Sequence, residues 1–415
     1  MSSTKCCYYY YCYLYLLWMW LMMGLNSCES TVKNAAAPKQ VSVSRLECNE
    51  NLCAELNYPL DSQVAYFSNE IGKTLGNYTS LVLHNSQLTH LPLNVFQTLK
   101  QLETLDVYGC EVQHVARECF RSAGKLKKLH LGGNLISKLD GDTFALATQL
   151  EELELADNEL QELPAKLFSG LRQLRKLLLQ GNRLKVLPTD AFVQLQHLQH
   201  LNVDYNQLTK LPAGLCGKQE ELQDFSAHGN QLQQVASDAF ATVQRLCLSD
   251  NPQLHTLHLA GKVRQLQANN CNLKSLKLNQ AQQLEQLQLS NSKLRNFDFL
   301  RSAQNLLELD LSGVEKLPVL PNPWPAKLVE RLSISRDNPG DWPDKIISQM
   351  PQLKYLDVLR NGEREIFLID DDDDNVEQLD NNDWLCDKQT GECPTVEVGE
   401  ADELLWTGDG FETIS

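Results

Sequence analysis

The sequence contains no HExxH pair, no GxSxG elbow and no phosphate-cradling glycine loop. It therefore offers none of the spacings that metalloprotease, α/β-hydrolase or nucleotide chemistry requires. Its histidines, among them His84, His114, His197, His255 and His258, are scattered rather than gathered, and no enzyme is expected. Positive charge is scarce as well: 37 Lys and Arg face 53 Asp and Glu, for a net charge of −16. A surface of that sign repels nucleic acid and heparin. The deficit is local, because from Asp370 to the end sixteen acids meet one base, Lys388. The run IDDDDDNVEQLDNNDW lacks the spaced ligands and turning glycine of a calcium loop. It reads as solvated like charge, and neither a metal nor another cofactor is expected.

Long apolar runs are also missing, with one exception. Behind Lys5, the stretch from Cys6 to Leu25 carries no charge, and Asn26, Ser27 and Cys28 follow it. Residues 1–30 read as a secretory signal. The alternative is an uncleaved signal anchor, since about 20 apolar residues just span a bilayer and tyrosine-rich ends suit the interface. The C-terminal DELLWTGDGFETIS is neither a transmembrane helix nor a lipid-anchor tail. Export fits the cysteines, because an exported chain can keep disulfides. Cys6, Cys7, Cys12 and Cys28 leave with the signal, and nine others remain, from Cys48 to Cys393. An odd number leaves at least one thiol free or bonded to another chain. Asn77-Tyr78-Thr79 is a glycosylation sequon for a chain in that pathway.

What the sequence has in abundance is a repeat. Leu129-His130-Leu131-Gly132-Gly133-Asn134 recurs 24 residues later as Leu153 to Asn158, then as Leu177 to Asn182, Leu201 to Asn206 and Phe225 to Asn230. An apolar residue follows each Asn by two (Ile136, Leu160, Leu184, Leu208, Leu232), and Phe144, Phe168, Phe192 and Phe240 come later in four of the five blocks. In the LxL core two leucines point the same way, as alternate residues of a strand do. One unit cannot bury that face alone, whereas stacked units bury a continuous core. The Asn amide can both donate to and accept from backbone groups that would otherwise be buried unpaired. The Phe fills the wider outer arc.

This pattern, LxxLxLxxNxL, is similar to that of extracellular leucine-rich-repeat proteins: Toll-type receptor ectodomains, soluble immune recognition factors, and guidance or adhesion proteins. The resemblance spans roughly residues 78–367, about thirteen turns. It implies an α/β solenoid, a horseshoe with a parallel concave β-sheet, irregular convex arcs and short cysteine-containing caps. Residues 31–77 would be the N-terminal cap region, 368–395 an acidic linker and C-terminal cap, and 396–415 an acidic, disordered tail. Trp384 close before Cys386 resembles such a cap, and the disulfides expected are Cys48–Cys53 and Cys386–Cys393. The family usually has four cysteines at each end and this chain has two, so only the idea of a cap carries over.

Two departures matter. Ser86, Cys110, Cys271, Ser292 and Val314 stand at the Asn position in other repeats, so the amide ladder should fade toward the C-terminal half. Leu246, Leu266, Leu287 and Leu309 lie 20 to 22 residues apart, with no Phe on the arcs that leave Leu246 and Leu266, so the convex side should be thinner there.

The x positions of LxxLxLxx point onto the concave sheet and give the candidate partner surface. Lys127, Lys128 and His130 form one row; Glu151, Glu152 and Glu154 the next; Arg175 and Lys176 follow. Then come His200, Asn202 and Tyr205, then Asp224 and His228, and later rows are amide-rich, with Gln265, Gln267, Gln286 and Gln288. Alternating charged rows suit a complementary protein surface. Cys247, between Leu246 and Leu248, should point outward, while Cys110 and Cys271 should be buried; Cys119 and Cys216 fall on outer arcs. Cys216 or Cys247 is the first suspect for an interchain bond in a disulfide-linked dimer, the alternative being a reduced or locally paired thiol. The expected role is a secreted protein that recognises a protein ligand or co-receptor through this face, in innate immunity or cell–cell recognition. The alternatives are an adhesion or receptor subunit anchored by the N-terminal segment, and a matrix component or inhibitor.

Overall fold

The structure is a computed structural model that describes residues 76–83, 88–314, 326–335 and 350–360, together with strands at Val43–Cys48, Asn51–Leu56, Glu363–Ile369, Val376–Leu379, Trp406–Thr407 and Gly410–Phe411. The expected signal, the Asp370–Asp374 run, Cys386 and Cys393 lie outside the described residues.

Thirteen strands, from Ser80–Val82 to Tyr355–Arg360, pair in parallel within one sheet. The register runs through the repeat leucines: Leu81 opposes Leu105, Leu105 opposes Leu129, and so on past Phe225 and Leu246 to Leu356. These residues are 0 to 1% exposed. Each fully buried leucine contributes about 1.5–3 kcal/mol of transfer energy, so the stack supplies the core. A solenoid built this way exposes a sheet edge at each end. Here both ends finish in antiparallel strands. Asn51–Leu56 pairs with Ser80–Val82 in parallel and with Val43–Cys48 antiparallel. Glu363–Ile369 folds back antiparallel on Tyr355–Arg360, and Val376–Leu379 follows it antiparallel. The N-terminal hairpin sets Cys48 opposite Asn51 and Cys53 opposite Leu46.

The turn out of each strand is held by the asparagines. Asn182 donates from Nδ2 to Leu155 O of the preceding turn at 2.8 Å and to Leu179 O of its own at 3.1 Å, while its Oδ1 accepts Leu160 N at 3.0 Å. Asn134, Asn158, Asn206, Asn230 and Asn251 repeat the arrangement. At the departures the ladder thins as expected. Cys110 Sγ reaches Leu83 O at 2.7 Å and Cys271 Sγ reaches Leu248 O at 3.2 Å, but neither can also accept as an amide does. Ser292 Oγ is buried without a partner.

On the convex side Phe96, Phe120, Phe144, Phe168, Phe192 and Phe240 form an aromatic spine, with centroids 5.8 Å apart for Phe96–Phe120 and 5.4 Å for Phe120–Phe144. Cys216 occupies the one gap in this 24-residue series. The shorter turns close differently. Thr256–Leu259 and Ser275–Leu278 form a second parallel ladder on that side, because a short arc has room only for extended chain.

Candidate interaction surface

The concave strands carry the expected side chains, but curvature and ion pairing divide them into contact groups and buried hubs. Lys127, Lys128, Glu151, Arg175 and Tyr205 are exposed. Glu152, Lys176, Asn202 and Asp224 are buried although they point away from the core. His130, Glu154, His200 and His228 are intermediate. Asn77, in the sequon, is exposed.

Glu152 is one hub. Its carboxylate meets Lys176 Nζ at 3.0 Å and Lys128 Nζ at 3.4 Å, one turn to either side. His130 lies 3.8 Å from both Glu152 and Asp106, too far for hydrogen bonds and held by charge. Burial works against ionisation of both partners, yet the attraction wins. His130 among Asp106, Glu152 and Glu154 is raised to about 9, and Glu152 beside His130 and Lys176 is held down to about 2. Asp224 is the second hub. His200 Nδ1 contacts it at 2.6 Å, and Arg245 grips it with both Nε and Nη2. Burial raises its pKa, but His200 and Arg245 outweigh that and leave it lowered. Such pairs fix side-chain positions more than they stabilise the fold.

Tyr205 is the third feature. The residue four after each registered position from Leu105 to Leu309 adopts positive φ: Gly109, Gly133, Asp157, Gly181, Gly229, Asp250, Asn270, Asn291 and Gly313 all do so. Gly, Asn and Asp tolerate this conformation, and a tyrosine does not readily adopt it. Tyr205 nevertheless does, at φ 49, and it is 57% exposed. Its ring lies over Gly229, its hydroxyl meets His228 Nε2 at 2.9 Å, and His228 Nδ1 approaches Asp250 at 3.3 Å. An exposed aromatic in a strained backbone is a feature typical of recognition sites.

Reading the sequence row by row missed Arg245, Asp250 and Asp106. Arg245 and Asp106 flank registered leucines, and only the exact register of the shortened turns reveals which carboxylate or histidine each meets. The cysteine expectation needs correction. Cys216 is 0% exposed and burial pushes its thiol far up, so in this fold it faces no second chain. It sits on the arc as expected, but pointing into the core in the place of a phenylalanine. Cys110, Cys119 and Cys271 are also buried, and Cys247 is partly exposed. Its thiol is raised to about 11 by burial and by the neighbouring Asp204 carboxylate. Among the described residues no group of three His, Cys, Asp or Glu could hold a metal ion, and no helix is long and apolar enough to cross a membrane.

A family model for the leucine rich repeat matches residues 76–136, 124–184 and 172–232. These matches show leucine-rich repeats over residues 76–232, and the parallel ladder carries the same register on to Leu356. None of the curated proteins compared with it matches. Among solved structures it is similar to the Drosophila Toll chain of the Toll–Spatzle complex, at 20% identity and TM-score 0.55, covering 74% of this chain and 46% of that one. The glycosylated form of that complex gives 18% identity and TM-score 0.51, covering 67% and 44%. The LRIM1/APL1C complex gives 18% identity and TM-score 0.44, covering 78% and 72%. The chain thus spans less than half of the Toll structure it matches.

Proposed function

We propose that this protein is a secreted, extracellular binding protein that recognises a protein partner through its concave sheet. The observation that carries the reading is Tyr205: a large aromatic held exposed, at a strained φ, above a rigid parallel sheet, and bounded by the Asp224 hub on the adjacent turns. Rigid support lowers the ordering cost of binding, and an anchored aromatic is a common source of affinity. The Toll structure shares the fold and is of a complex with Spatzle, which supports a role in recognising a partner. Secretion rests on the apolar segment from Cys6 to Leu25, the sequon at Asn77 and its exposure.

The test has two parts. C-terminally tagged full-length chain expressed in animal cells should reach the medium about 30 residues short. A full-length band confined to membranes would replace secretion with the anchored reading, which the same apolar segment favours. A photo-crosslinking amino acid at position 205 should then capture a discrete protein from the extracellular fluid, whereas the same group at outer-arc position 142 should not. Equal capture from both positions would refute concave recognition.

A further inference from the structure

Charge on the concave sheet is divided lengthwise. Across the ten turns registered on Leu105 through Leu309, the two residues before each registered position supply six cations: Lys127, Lys128, Arg175, Lys176, Arg245 and Arg264. The same two columns hold six acids, Glu103, Glu151, Glu152, Asp224, Glu285 and Glu308, and most of these meet the cations in ion pairs. This leading side is neutral. The positions one, three and four after the registered residue form the trailing side. They hold Asp106, Glu154, Asp157, Asp204, Asp250 and Asp310, and not one Lys or Arg. The groups there that can take a positive charge are His130 and His228.

Two tyrosines stand in this acidic lane, Tyr108 at 50% and Tyr205 at 57% exposure. Tyr108 lies flat over Gly132 and Gly133. A Cβ on Gly132 would fall 2.9 Å from its ring and 2.7 Å from Glu154 Oε1, so ring and carboxylate crowd the same glycine. Asp106 Oδ1 accepts the Tyr108 backbone N–H at 3.0 Å. Burial raises the Tyr108 hydroxyl, and Asp157, Glu154 and Asp106 around it raise it further. The result is an exposed aromatic face ringed by three carboxylates. Tyr205 repeats the theme with Asp204 preceding it in the chain and Asp250 across His228.

An aromatic face with adjoining carboxylates suits a guanidinium, which stacks and donates in a fork at once. We propose, building on concave recognition, that the trailing side binds an extended, arginine-bearing segment of the protein partner, with one cationic side chain on Tyr108 and another on Tyr205. The tyrosines are four turns apart, about 19 Å at the spacing of parallel strands. An extended chain covers that in about six residues. The partner segment thus carries two basic residues about six apart and runs across the strands.

The experiment uses full-length protein and fluorescein-labelled peptides in which two arginines are separated by five neutral residues or by one. Fluorescence anisotropy should show the widely spaced peptide binding more tightly, with affinity falling as salt rises. Glu154→Gln combined with Tyr108→Ala should weaken it at least tenfold, and Tyr108→Phe should retain it. Asp142→Asn, on the outer arc, should change nothing. Replacing Asp370 through Asp374 with Asn controls for the acidic tail and should also change nothing. Equal affinity for the two spacings, full affinity in the Glu154→Gln/Tyr108→Ala variant with a native circular dichroism spectrum, or loss only in the tail variant would each overturn the proposal. If position 205 still crosslinks a protein in those cases, concave recognition stands and the arginine-bearing partner alone falls.

Discussion

Cys216 and Phe240 face one another across adjacent turns as a parallel bridge, and Cys216 fills the place that Phe192 fills one turn earlier. A small residue in an aromatic spine is tolerated because its neighbours close in. Phe225, a phenylalanine where other turns have the registered leucine, reaches back to Phe240 with centroids 4.7 Å apart. Gln219 adds a hydrogen bond from Nε2 to Phe192 O at 2.8 Å.

Restoring the spine should therefore harm the fold. Cys216→Phe has no void to fill and should destabilise by about 1–3 kcal/mol through overpacking, read as a lowered urea midpoint. In the native protein, 5,5′-dithiobis(2-nitrobenzoate) should leave Cys216, Cys110, Cys119 and Cys271 unmodified, and modify them once the chain is unfolded. Rapid native labelling of Cys216 would show that the arc opens and would return it to the list of interchain candidates.

The amide ladder makes a second, graded prediction. Asn182→Ala leaves the buried Leu160 N without its acceptor, and takes one of two amide donors from Leu155 O and from Leu179 O, which keep Asn158 and Asn206. At about 1–3 kcal/mol for the unsatisfied donor and about 0.5–1.5 kcal/mol for each of the two bonds lost at the carbonyls, a loss of about 2 kcal/mol or more is expected. The converse change is Ser292→Asn. Its hydroxyl has no partner now, and an amide there would face Ala268 O as Asn251 faces Ala227 O, so stability should rise. A decrease would mean that the shorter turns have lost the room for the side chain.

These two cases show what the sequence made legible and what it hid. Strand direction, register and the Asn ladder follow from spacing alone, because a leucine must find the leucine of the next turn. Whether an outward residue is a contact or a hub does not follow. Glu152 and Glu151 are neighbours of one type, yet Glu152 is buried between two lysines and Glu151 is exposed, a difference set by which turn lies on either side. Cys216 could have been read from its exact 24-residue distance to Phe192 and Phe240. The Tyr205 strain became visible only when the turns from Leu105 to Leu309 all placed the same position at positive φ.

The Glu152–His130 pair sets a pH window. Glu152 is lowered from 4.5 to about 2, so its contribution is complete above 4.5 and disappears as pH falls through about 2. His130 is raised from 6.5 to about 9, so its contribution is complete below 6.5 and disappears as pH rises through about 9. The pair contributes fully between 4.5 and 6.5 and less on either side. Glu152→Gln should bring the His130 midpoint, followed by NMR of its ring protons, down toward 6.5. An unmoved midpoint would assign the shift to Asp106 and Glu154 instead.

Tyr205 separates stability from recognition. Its φ of 49 strains a non-glycine backbone by about 1–2 kcal/mol. Glycine relieves that strain, while losing the ring contact with His228, at 5.0 Å between centroids, removes about 0.5–1.5 kcal/mol. The two nearly cancel, so Tyr205→Gly should keep the urea midpoint within the equivalent of about 1 kcal/mol. Recognition has no such compensation. An anchoring aromatic removed from the centre of an interface costs about 2 kcal/mol or more, a weakening beyond tenfold. Binding of the crosslinked partner, measured by surface plasmon resonance on the variant and the unaltered chain, should show that loss. A variant that binds normally but unfolds at markedly lower urea would make Tyr205 a structural residue, and the strain at this turn would then lack a role in recognition.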